Sequence, residues 1–129
     1  MSLWVQYNPN PKHNRTIDCA VRAISKALDQ DWDTTYVGIT ATGFFLSDMP
    51  SSNMVWGRYL RKKGFKQHIV DDYGDTFYTV EDFAKDHPHG TYILHMVYLE
   101  HVVCVHEGKY YDSWDSGNEV PQYCWTKEN

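Results

Sequence analysis

Cysteine is scarce: the 129 residues hold three, at positions 19, 104 and 124, an odd number with no CxxC pair. Small secreted scaffolds held by disulfides use dense, even sets, so that class is excluded and reduced thiols in a cytoplasmic compartment are expected. Long apolar runs are missing as well. Nothing approaches the roughly 20 residues that span a bilayer, and the first residues lack the charged-then-apolar order of a signal peptide, so no membrane partner is expected. Cationic charge is in deficit, twelve Lys and Arg against seventeen Asp and Glu, for a net charge of −5. The one basic cluster, Arg58, Arg61, Lys62 and Lys63, reads as the solvated end of a helix, where cations suit the dipole, and no nucleic-acid partner is expected. Repeats with periods of roughly 20–50 residues, low-complexity tracts and heptads are absent, which removes solenoids and coiled coils.

What is present is enough apolar surface for one core: 42% of residues are hydrophobic and 16% aromatic. At roughly 100–200 residues per domain, residues 1–129 are expected to form a single unit. Met1 to Leu3 carry no weight in this reading. Tyr7-Asn8-Pro9-Asn10-Pro11 holds two X-Pro steps and predicts an extended or turning lead-in. Ala20, Val21, Ala23, Ile24, Ala27 and Leu28 then fall on helical spacing, with Thr16 or Asp18 available as N-cap, which places Cys19 in the first turn. Further helices are predicted over Asp33–Thr42, from Ser51 or Ser52 to Lys63 with a stop at Gly64, and after Thr79, whose partner Asp82 suggests a capping box, to Asp86. Strands are predicted at Phe65–Val70, Thr91–Val97, His101–His106 and Lys109–Ser113. Helices come first and antiparallel strands last, an α+β class with N-terminal helices packed on a C-terminal antiparallel sheet.

The chemistry-bearing residues are one Cys, one His and one Asp. A thiol becomes a nucleophile when ionised, and a helix N-terminus favours the thiolate, so Cys19 occupies a suitable place. Such a thiol needs a base within hydrogen-bond reach, and the base needs a group that orients it. If Glu107-Gly108 is a two-residue turn, His106 pairs with Lys109 and position 103 with 112, which puts His101 and Asp112 on one face as diagonal neighbours. A three-residue turn would instead bring Asp115 opposite His101 and make it the third member.

These residues resemble the papain-like cysteine peptidases and their small bacterial or phage relatives. The likeness lies in Asp18-Cys19-Ala20-Val21 opening a helix near the N-terminus, His101-Val102-Val103 opening a strand, and Asp112-Ser113-Trp114 ending the next. Asp112 stands where papain-like enzymes usually carry an amide. The resemblance implies a papain-like α+β fold and a Cys19-His101-Asp112 hydrolase acting on a peptide or isopeptide bond of a peptide or protein substrate, without metal or organic cofactor, and with Trp114 shielding the histidine. The family's oxyanion-donating Gln is replaced by His13, and no Gln lies between Tyr7 and Cys19. Asn8, Asn10, Asn14 and His13 are the alternatives beside the Cys19 backbone N–H, with Asn10 favoured because Pro9 and Pro11 stiffen it. So short a chain also lacks a large second lobe, which implies a shallow or shared cleft.

Other readings remain open. An acyl transferase of transglutaminase type could use the same triad and pass the acyl group to an amine. A binding domain on the same fold would keep Cys19 as an inert core residue. His87, His89, His95, His101, Cys104 and His106 are dense, but they lack the spacing of a zinc site and alternate between strand faces, so no metal is expected.

Overall fold

The computed structural model describes residues 2–70, 78–96 and 99–127. In chain order the elements are β1 (Trp4–Gln6), α1 (Cys19–Leu28), α2 (Trp32–Leu46), α3 (Asn53–Lys62), β2 (Phe65–Ile69), α4 (Val80–Asp86), β3 (Thr91–Met96), β4 (Val102–His106), β5 (Lys109–Asp112) and β6 (Pro121–Lys127). The class is α+β. The six strands form one sheet in the order β1-β5-β4-β3-β6-β2, in which β1 runs parallel to β5 and the other pairs are antiparallel. The expected antiparallel sheet after the helices is therefore corrected: β1 precedes all helices and pairs in parallel with β5, so the sheet is mixed, while α4 lies between β2 and β3 as expected.

Each element has a local cause. Ser52 caps α3 by accepting from Met54 N, and Gly64, at φ +94°, supplies the backbone that ends it. Thr79 and Asp82 form the reciprocal capping box that opens α4. The Glu107-Gly108 turn has positive φ at both residues, 50° and 78°, as a type I′ hairpin requires. The α2 helix runs four residues past the expected end at Thr42. Val97, expected in β3, lies outside the described residues.

The sheet separates two apolar clusters. On one face α1, α2 and α3 bury Ile24, Ile39, Val55, Trp56 and Leu60 against Ile93, Val102, Cys104 and Trp125. On the other, Val80 and Phe83 of α4 pack with Leu94, Val103, Val105 and Tyr110. Residues 102 to 105 alternate between these faces, as a strand covered on both sides must. No helix among the described residues is long and apolar enough to cross a membrane.

Candidate active site

Cys19 is the first residue of α1 and Asp18 stands at its N-cap, yet the Asp18 side chain makes no capping bond. It accepts from Trp32 Nε1 at 2.9 Å and pairs with Arg22 instead. Of the two expected candidates, Asp18 holds the N-cap position, without a side-chain capping bond. The consequence is chemical: the Cys19 backbone N–H meets no acceptor among the described residues, and the positive end of the helix stays open to an anion.

His101 directly precedes β4, and Asp112 closes β5. The hairpin pairs His106 with Lys109 and Cys104 with Tyr111, the register expected of a two-residue turn. His101 Nε2 lies 2.6 Å from Asp112 Oδ2, with the two residues 5% and 1% exposed. Asp115 is elsewhere, accepting from Tyr110 Oη and Gly117 N. Asp112 is held on every side. Its Oδ2 also accepts from Ser116 Oγ at 2.6 Å, and its Oδ1 accepts from Arg22 at 3.1 Å and from Ser113 N at 2.8 Å. Its carbonyl oxygen accepts from Tyr7 N at 2.8 Å and Trp4 Nε1 at 3.1 Å, so β1 and the residue after it fasten its backbone.

The electrostatics follow from these contacts. Burial opposes a charge on His101, but its hydrogen bonds to Asp112 and Cys19, with the negative charge of both, outweigh burial and hold the imidazole up at about 9 from its ordinary 6.5. Burial likewise opposes the Asp112 carboxylate, and the bonds from His101 and Ser116, with the charges of His101 and Arg22, keep it below its ordinary value. At neutral pH the pair is imidazolium and carboxylate. With Nε2 committed to Asp112, Nδ1 is the ring nitrogen left for another partner. The Trp114 ring lies 4.8 Å from the His101 ring, tilted by 46°, and covers it while remaining 41% exposed.

Asn10 is buried in the lead-in loop. Its Oδ1 accepts from Lys12 N at 2.9 Å and Asn14 N at 3.3 Å. Turning the oxygen into its own loop leaves Nδ2 outward, with no acceptor among the described residues, at the wall of a cavity that Cys19 also borders. Two cavities meet at the thiol, one of about 710 Å³ walled by α1, α2 and α3, and one of about 480 Å³ bounded by His101, Ser113 and Trp114. The other thiols are different. Cys104 and Cys124 are buried, and burial pushes Cys104 up to about 12. Among the described residues no three His, Cys, Asp or Glu side chains converge as a metal site requires.

The sequence reading grouped Cys19, His101, Asp112, Trp114 and Asn10, read Asp18 as a helix cap rather than as the partner of Arg22, and missed Arg22 and Ser116. A signal existed for Arg22: it stands three residues after Cys19 and four after Asp18, hence on the helix face that carries both. Compared with protein-family models, curated proteins and solved structures, the chain matches none.

Proposed function

We propose that this chain is a papain-like cysteine hydrolase that cleaves an amide bond of a peptide or isopeptide. The observation that carries the reading is the buried 2.6 Å bond between His101 Nε2 and Asp112 Oδ2, with Cys19, the first residue of α1, bordering the same cavity as His101. In the proposed cycle the Cys19 proton rests on His101 Nδ1 at the start, and the Sγ thiolate attacks the substrate carbonyl carbon. The carbonyl oxygen becomes an oxyanion, met by the Cys19 backbone N–H and Asn10 Nδ2. As the C–N bond breaks, the Nδ1 proton passes to the leaving amine and a thioester remains. Water then gives a proton to Nδ1 and its oxygen attacks the thioester carbon. The C–S bond breaks, the carboxylic acid leaves, and the thiolate and imidazolium are restored. Asp112 stays ionised throughout and holds the ring, and Trp114 keeps water from the His101–Asp112 bond.

The pH dependence of Cys19 alkylation by iodoacetamide, read by mass spectrometry against Cys104 and Cys124, tests this. Cys19 is expected to react alone near neutral pH, and His101→Ala should remove that selectivity. A Cys19 no more reactive than the two buried thiols overturns the reading.

A further inference from the structure

The α2 helix carries apolar residues on every side and a single charge, Asp33. A helix of that kind is ordinarily covered all round. Thr35, Ile39, Thr42 and Gly43 are buried, while the opposite side lies uncovered among the described residues. Positions 37, 41, 44 and 45 follow the i, i+4, i+7, i+8 spacing of one helix face. There Phe44 and Phe45 are 82% and 81% exposed, their rings edge to face with centroids 6.0 Å apart. Two such rings leave about 300 Å² in water. With Tyr36, Val37, Ala41 and Met49, all exposed, the face is on the order of 600 Å², the upper end of the largest apolar patch on an ordinary monomer.

We infer that this face is the interface of a homodimer, in which α2 packs antiparallel on α2 of a second copy about a two-fold axis near Ala41. Area and shape both favour a second copy. Burying the face twice removes roughly 1,200 Å² from water, the least that a stable interface needs. The axis lays Phe44 and Phe45 of each copy beside Val37, Thr40 and Ala41 of the other, large side chains against small ones, so that the ridge of one helix fills the groove of the next. A lipid surface fits less well, because α2 has no Lys or Arg to meet phosphate headgroups. Asp33 and Asp48 flank the apolar centre and each copy has a net charge of −5, so the dimer tightens as salt screens this repulsion. The dimer does not depend on the hydrolase reading. Tyr36 and Met49 also border the larger cavity at Cys19, which puts the second copy at its rim.

Sedimentation equilibrium of the full chain, from about 1 to 200 µM and under reductant so that thiols cannot link copies, tests this. A reversible monomer–dimer equilibrium with a dissociation constant on the order of micromolar is expected, and it should tighten when sodium chloride is raised. Phe44→Asp combined with Phe45→Asp should weaken it roughly thirtyfold or more, the scale of losing an aromatic anchor. The double variant should keep the far-UV circular dichroism of the parent, since both rings stand in water in the monomer. Ala41→Glu retains both rings but sets a carboxylate at the axis, and should weaken the dimer comparably. Ile69→Lys alters the exposed edge strand β2, the other surface suited to self-pairing, and should leave the dimer intact. A parent that stays monomeric over the whole range overturns the inference and leaves the face to a different molecule. A dimer that survives the α2 variants, is lost in Ile69→Lys alone, or weakens with salt overturns it as well.

Discussion

Arg22 lies one helical turn beyond Cys19 and holds two carboxylates, Asp18 and Asp112, while only 7% exposed. A buried guanidinium with two carboxylate partners tolerates its desolvation because its N–H fork bonds both at once. Through Asp18 the same cation reaches Trp32 of α2, so one side chain ties the start of α1, the α2 helix and the end of β5 together. Removing it strands the buried Asp18 carboxylate and leaves His101 as the cation beside Asp112. Arg22→Met is expected to lower unfolding free energy by about 3–5 kcal/mol, the cost of breaking a buried ion pair from one side. In urea titrations at pH 7 the double variant Asp18→Asn, Arg22→Met should recover part of that loss. A single variant as stable as the parent would mean that the charges are not coupled.

Among the elements, the Glu107-Gly108 turn has the most direct bearing on the site, because it fixes the register that brings Asp112 to His101. Glu107 adopts φ 50°, which a side chain with a Cβ occupies at a cost. Replacing it with Asn, better suited to a type I′ turn, should stabilise the hairpin by about 0.5–1 kcal/mol and leave the Cys19 alkylation profile unchanged. Gly108→Val should cost about 1–3 kcal/mol, since φ is +78° and a Cβ there would stand 3.2 Å from Pro88 Cα. Thermal melts of the two variants check both signs. This turn was legible because its signal is local, and so were the Ser52 cap, the Thr79–Asp82 capping box and the amphipathic face of α1. What was not legible depends on distant partners. The three residues of β1 become a strand only by pairing with β5, and β6 begins at a proline, which argues against an interior strand. The α2 helix runs on from Thr42 through Gly43, whose missing side chain admits the Asp48 carbonyl, which would stand 2.7 Å from a Cβ. Arg22 was passed over because a charged side chain on a helix defaults to solvent.

For the molecule as a whole, the buried pair sets how stability changes with pH. His101 is raised from 6.5 to about 9, so its contribution is complete below 6.5 and lost as pH climbs through about 9. Asp112 is lowered, so its contribution is present above its ordinary value of 3.8 and lost as pH falls through its lower folded value. Both are in full force between about pH 4 and 6.5. Cys104, raised from 9.0 to about 12, loses its contribution in a separate and higher range. Denaturant titrations across pH should therefore show a decline between 6.5 and 9 that disappears in His101→Ala, while the decline above 9 persists. A parallel decline in both proteins would assign the lower range to other groups. The pairing of β1 with β5 carries a consequence for biosynthesis. The helix bearing Cys19 emerges from the ribosome early, but His101 and Asp112 are made more than eighty residues later, and the first strand has nothing to dock on until then. A nascent chain therefore holds Cys19 without His101 and the strand behind it until residues 101 to 112 have been added, so the buried cluster is among the last parts of the molecule to assemble.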